Sequence, residues 1–168
     1  MARRLRGLLL LFAVLLVGCD HATKLAAHTV LQGRTLDVVP GVLDLRYAEN
    51  HDTAFSLTHG LHSPYKAAFL TVLAVLGVRA VALFWWRRRE TSRAQQVGYA
   101  MLLAGAVGNV ADRLARGFVI DFIHLRCWPV FNVADVLIVA GIAWLGLLTL
   151  TRTSRARSES SCGNSPRA

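Results

Sequence analysis

Long apolar stretches alternate with short arginine-rich ones along the 168-residue chain. The first apolar run, Leu5 to Gly18, follows Arg3 and Arg4. A second begins at Ser63-Pro64 and ends at Trp85-Trp86, a third extends from about Gln95 to Leu114, and a fourth from Phe131 to Leu150. Each approaches the ~20 residues a helix needs to span hydrocarbon. The pattern predicts membrane helices over about 5–24, 64–86, 95–114 and 131–150. The first reaches spanning length only by continuing through Asp20 to Lys24. Ser63 is a suitable N-cap and Pro64 fits a first helical turn. Trp85 and Trp86 sit where an interfacial aromatic belt belongs. In the third helix, Ala100, Ala104 and Gly108 recur every fourth residue, a small-residue stripe that lets another helix approach closely.

The connections differ in character. Thr35-Leu36-Asp37-Val38-Val39 and Val42-Leu43-Asp44-Leu45-Arg46-Tyr47 alternate partly with period two, with Pro40-Gly41 between them as a turn signal. A small β-hairpin on the membrane surface is expected there. The segment from Ala115 to Val130 reads as a polar loop. After Thr151 the chain becomes rich in Arg, Ser and Gly, and residues 152–168 are expected to form a disordered tail. No internal repeat is present.

Composition sharpens the class. Hydrophobic residues make up 54% of the chain and charged ones only 17%, far from the balance of a soluble domain. Its length suits one domain, residues 1–151, built as a small helical bundle. The net charge is +9, which raises nucleic acid as a partner. The arginines, however, collect at the ends of apolar segments, which is the signature of membrane topology. Arg3, Arg4 and Arg6, then Arg87, Arg88, Arg89 and Arg93, then Arg152, Arg155 and Arg157 fall on one side if the chain spans four times. That side is expected to be cytoplasmic, with both termini there and residues 25–62 and 115–130 facing outward. Arg79, inside the second helix, is within snorkelling reach of the cytoplasmic interface. Cys19, Cys127 and Cys162 are widely spaced and contain no CxxC, so neither a disulfide framework nor a zinc site is expected.

Against this apolar background, four aspartates stand out: Asp20, Asp112, Asp121 and Asp135. A carboxylate at the centre of a membrane helix costs about 2.5–3.5 kcal/mol on insertion scales. Asp20 and Lys24 are four apart and suit an interfacial ion pair. Asn109 and Asp112 share a helix face, and Asp112 with the adjoining Arg113 suits a structural clamp at the outer end of the third helix. Asn132 is placed to cap the fourth helix. Asp135 lies a turn deeper and needs a partner, and Asp121 is the nearest acid on the same side. Two carboxylates held close can share one proton and activate water, which predicts a membrane-embedded aspartyl hydrolase.

Other readings explain less. Arg3-Arg4, the apolar run and Leu16-Val17-Gly18-Cys19 look like a lipoprotein signal peptide with its lipidation cysteine, but that leaves three further spans and the Asp20–Lys24 pair unexplained. There is no HExxH, and His59-xx-His62 has no nearby acid. A serine–lysine pair from Ser56 or Ser63 with Lys24 or Lys66 has no supporting motif, and GxSxG is absent. A proton-relaying transporter would place its acids at mid-bilayer depth, whereas these gather near the outer ends.

Taken together, Asp20-xx-Thr23-Lys24, Tyr47-Ala48-Glu49-Asn50 with Ala54-Phe55-Ser56, Gly105-xx-Gly108-Asn109-xx-Asp112-Arg113, Val119-Ile120-Asp121-Phe122 and Phe131-Asn132-Val133-Ala134-Asp135 resemble lipoprotein signal peptidase (signal peptidase II) in order and spacing, over about residues 5 to 150. The resemblance implies an all-α membrane protein of four transmembrane helices with a small extracytoplasmic β-cradle. It implies a catalytic pair on Asp121 and Asp135, with Asp20, Asn50, Asn109, Arg113 and Asn132 around it or on the substrate, and Lys24 and Asp112 in support. It further implies an aspartic endopeptidase of the bacterial inner membrane with its active site near the outer leaflet. Its substrate would be a diacylglyceryl-modified prolipoprotein, cut before the lipidated cysteine. Membrane lipid is the only other partner expected; a monomer is expected, with no metal, organic cofactor or nucleic acid. One position departs from the family: Asp52 stands where glycine is frequent, and Asp enters left-handed backbone less readily.

Overall fold

The computed structural model describes residues 2–51, 65–87 and 92–162, with side chains described for 7–51, 65, 67–87 and 92–151. Four long helices and three strands follow in the order α1 (Ala2–Val30), β1 (Thr35–Val39), β2 (Leu43–Asn50), α2 (Lys66–Arg87), α3 (Arg93–Arg116), β3 (Val119–Leu125) and α4 (Val133–Cys162). The chain is thus mostly helical with a small sheet, as the hydrophobic pattern suggests.

Boundaries shift where local chemistry is stronger than hydropathy. α1 runs straight through Cys19 and Asp20 and on to Val30, beyond the expected end at Lys24, because no glycine or proline follows Gly18 until Gly33 at φ 68°. The expected start of α2 at Ser63-Pro64 lies outside the described residues. α3 opens on a capping box: the Ser92 hydroxyl accepts from the Gln95 backbone N–H, and the Gln95 side chain accepts from the Ser92 N–H. It closes on Gly117, left-handed at φ 83°, whose N–H reaches back to Arg113. α4 starts at Val133 rather than Phe131, because the Phe131 backbone is engaged with Ile123 of β3. It then persists to Cys162. The expected disorder from residue 152 is therefore corrected over 152–162, where no helix breaker occurs before Gly163.

Among the described residues, three helices are long and apolar enough to cross a membrane, over Gly7–Val30, Ala67–Arg87 and Val133–Thr151. The fourth, α3, carries Gln95, Gln96, Asn109, Asp112, Arg113 and Arg116. It can carry them because it packs against α1, α2 and α4 and turns its polar face inward; Gln96, Asn109 and Asp112 are all buried. The outward faces of the other three are apolar, with Leu8, Leu11, Val72, Leu76, Leu147 and Leu150 among many exposed side chains. That is the inverse of a soluble surface and suits a lipid solvent.

Small residues set the helix spacing. A Cβ on Gly105 would strike the carbonyl oxygen of Ala134, and one on Gly141 would lie 2.9 Å from the carbonyl oxygen of Gly98. Ala100 and Ala104 are fully buried, as the stripe predicts.

The sheet is antiparallel in the order β1-β2-β3. The expected hairpin is present, with Thr35 opposite Arg46, Asp37 opposite Asp44, and Gly41 at φ 73° in the turn. The third strand is a correction, since the segment from Ala115 to Val130 reads as loop. Val119, Ile120, Asp121 and Phe122 are all buried, so the strand shows no polar–apolar alternation. Leu45, Tyr47 and Ile123 pack with Phe122 on Ala27 and Leu31, which seats the sheet on the end of α1. Register then sets Ala48 opposite Asp121 and Asn50 opposite Val119.

Candidate active site

The site is built in two layers. Behind it lies a buried ionic knot between α1 and α3. Asp20 and Lys24 form the expected i,i+4 pair at 2.7 Å, and both are fully buried. Lys24 Nζ also pairs with Asp112 at 2.8 Å and donates to Asn109 Oδ1 at 3.0 Å. Asp112 pairs in addition with Arg116, and His21 Nδ1 lies 3.9 Å from it. A buried charge without such partners is strongly destabilising, so the groups stand or fall together. Asp112 is held by Lys24 and by Arg116, one turn on along the same face, and the adjoining Arg113 lies within its electrostatic reach. Arg116 was not among the expected site residues; its i,i+4 spacing from Asp112 is the signal in the sequence that points to it.

Asp20 has a second task. Its Oδ1 accepts from the backbone N–H of Ala134 at 2.9 Å, satisfying one of the orphan donors in the first turn of α4. The carboxylate fits there because residue 108 is glycine; a Cβ would approach Oδ2 to 2.6 Å.

The front layer holds the two carboxylates. Asn132 caps α4: its Oδ1 accepts from the Asp135 N–H at 3.0 Å, and Asp135 Oδ2 accepts from the Asn132 N–H at 3.2 Å. This reciprocal arrangement makes Asp135 part of the cap, a task the sequence reading reserved for Asn132. Asn132 Nδ2 donates to Asp121 Oδ1 at 2.6 Å and to Asn109 Oδ1 at 3.2 Å. Asn109 Nδ2 donates to Asp135 Oδ1 at 2.8 Å. From β2, Asn50 Nδ2 donates to Asp121 Oδ2 at 2.9 Å. Each carboxylate thus receives an N–H donor on each oxygen. Burial pushes the Asp121 carboxyl up to about 7, the charge of Asp135 adds to the rise, and the amide donors of Asn50 and Asn132 oppose it.

Both carboxylates open onto a cavity of about 780 Å³ between α2, α3 and α4. Val78, Val81, Leu103, Ile138 and Val139 make its walls apolar, while Asn50, Asn109, Arg113, Asp121 and Asp135 form one polar end. Trp128, half exposed, stands at that end too; a tryptophan in the connection between β3 and α4 is an interfacial signal legible in the sequence. Of the nine expected site residues, these five line the cavity; Asp20, Lys24, Asp112 and Asn132 stand behind them. Asp52 lies outside the described residues.

Residues 12–151 match the family model described as signal peptidase (SPase) II. The chain belongs to the signal peptidase II family. It is 35% identical over 152 residues to the lipoprotein signal peptidase of Pelotomaculum thermopropionicum, covering 88% of this chain and 96% of that one. With the lipoprotein signal peptidase of Mycobacterium leprae it shares 36% over 155 residues, covering 88% and 73%. Two solved structures, each described as a bacterial membrane enzyme, superpose with TM-scores of 0.78 and 0.76 at 28% identity. The first covers 89% of this chain and 91% of its own, the second 86% and 93%. The signal peptidase II family is one of bacterial membrane proteases, and the exposed apolar helices of this member agree with that setting.

Proposed function

We propose that this chain is a membrane-embedded aspartyl endopeptidase that removes signal peptides from diacylglyceryl-modified bacterial prolipoproteins, cutting before the lipidated cysteine. One observation carries the reading: Asp121 and Asp135 share Asn132 as a hydrogen-bond partner at the polar end of an apolar cavity. The cavity suits an apolar signal helix, and its polar end suits the scissile peptide. One carboxylate, ionised, takes a proton from water as the oxygen attacks the carbonyl carbon. The other, protonated, donates to the carbonyl oxygen. Collapse of the tetrahedral intermediate breaks the C–N bond, with a proton passing to the leaving nitrogen. The pair titrates as a unit, so the roles belong to the dyad. Arg113, Asn109 and Asn50 are placed to hold substrate backbone beside it.

In this reading α3 is a fourth span whose polar face is shielded by the other three, giving the four-helix bundle with a β-cradle. The chain works as a monomer in the inner membrane and meets its lipid substrate sideways. The arginine clusters support a topology with both termini and residues 87–93 in the cytoplasm and the dyad near the outer leaflet. A reporter fused after Arg157 should be active only if it works in the cytoplasm; an active export-dependent reporter there would overturn this topology. The decisive experiment incubates purified chain with lipid-modified precursor and with the same precursor unmodified. Cleavage of the first and not the second is expected. Equal cleavage of both, or of neither, sinks the reading.

A further inference from the structure

Lys24 makes no direct contact with either aspartate among its described partners, yet it sits one residue away from the dyad. Its Nζ donates to Asn109 Oδ1 at 3.0 Å, and the Nδ2 of the same amide donates to Asp135 Oδ1 at 2.8 Å. An ammonium can only donate, so whichever Asn109 atom faces it must be the oxygen. The amide nitrogen is thereby turned to Asp135. Asn132 is oriented in the same way, by the Asp135 backbone N–H on its Oδ1, and its nitrogen is turned to Asp121. Removal of the ammonium would leave Asp20 and Asp112, both fully buried, beside the Asn109 carbonyl. Those carboxylates prefer the amide N–H, and a rotated Asn109 would present its oxygen to Asp135, repelling it.

We infer that Lys24 is a positioning residue of the reaction, whose ammonium, together with the longer Asn132 contact at 3.2 Å on the same oxygen, fixes the Asn109 amide so that it donates to Asp135. The inference rests on the aspartyl peptidase reading and adds to it a residue that acts through another. The cation is supplied by α1 and read out on α4, so its effect depends on the packing of α1 and α4 about α3.

The test measures kcat and KM on lipid-modified precursor, per folded molecule, for wild type, Lys24→Met, Asp20→Asn and the double variant. Methionine keeps the length and removes the donor. Expected is a fall in kcat of about 10-fold to 100-fold, the range typical of residues that orient catalytic ligands, with KM within about twofold. Should Lys24→Met fail to fold with two unneutralised carboxylates, the double variant against Asp20→Asn decides, because one of those charges is then gone. The same fall in kcat is expected there. A kcat within about twofold of the matched parent, or a loss confined to KM or to folded yield, overturns the positioning role. Absence of turnover by wild type would instead overturn the peptidase reading and carry this inference with it.

Discussion

Asn132 joins Asp121 to Asp135: its side-chain nitrogen donates to Asp121 at 2.6 Å while its side-chain oxygen accepts from the Asp135 backbone N–H at 3.0 Å. One asparagine is both the cap of α4 and the link between the two acids. The helix start and the reactive geometry are therefore one structure.

The two tasks of Asn132 should separate by substitution. Asn132→Ser keeps an oxygen that can cap, and Asn132→Ala does not, so the alanine variant should be less stable by about 1 kcal/mol more. Both lose the donor to Asp121 and should lose turnover alike, by about 10²-fold or more. Thermal unfolding and turnover on the same preparations check this. A serine variant with near wild-type turnover would remove Asn132 from the chemistry.

Asp121→Asn and Asp135→Asn should each fold and each lose most activity. Both keep side-chain size and one of the two acceptor oxygens while abolishing proton transfer, which alone is worth about 10²–10⁴-fold. Asp112→Asn should differ in kind, because Asp112 partners Lys24 and Arg116 behind the site. It should lower folded yield more than the rate per folded molecule. Turnover of lipidated precursor normalised to folded protein distinguishes the three; near wild-type turnover in either dyad variant sinks the dyad.

Asp121 should impose a pH dependence with a definite sign. Its carboxyl lies at about 7 in the folded chain against 3.8 ordinarily, so between those values the folded chain holds a proton that the unfolded chain releases. Stability from this group is complete below 3.8 and is lost as pH rises through about 7. Turnover should fall across the upper part of the same window as the shared proton leaves the pair. Unfolding midpoints measured from about pH 4 to about pH 8, across the linkage window, should slope down more steeply in wild type than in Asp121→Asn. Parallel slopes would count against the assignment.

Glycines should sort by what faces them. Gly105→Ala drives a Cβ into the Ala134 carbonyl and Gly108→Ala into the Asp20 carboxylate, and each should cost about 1–3 kcal/mol. Gly18→Ala meets nothing within 4 Å in α1 and should be neutral or stabilise by about 0.5–1 kcal/mol. Unfolding in detergent ranks the three, and a Gly108→Ala variant as stable as Gly18→Ala would contradict the packing of Asp20.

Hydropathy and spacing were enough for the four helices, the hairpin around Gly41 and the Asp20–Lys24 pair, because those depend on local periodicity and on the cost of charge in apolar segments; the list of polar residues that gather at the site, Asn50 among them, came from the family resemblance. β3 was invisible, since a strand buried on both faces carries no alternation, and with Asp121 and His124 in it the segment reads as loop. The length of α4 beyond Thr151 was missed because composition speaks to packing and a helix needs only the absence of a breaker. What the chain alone could not decide was partnership. Lys24 meets Asp112 and Asn109, and Asp20 meets Ala134 across 114 residues. Such contacts arise only when helices distant in sequence are brought side by side at the spacing that Gly105 and Gly108 permit. The residue types were determined by sequence, while which amide faces which acid was decided by tertiary packing, where every buried donor must find an acceptor.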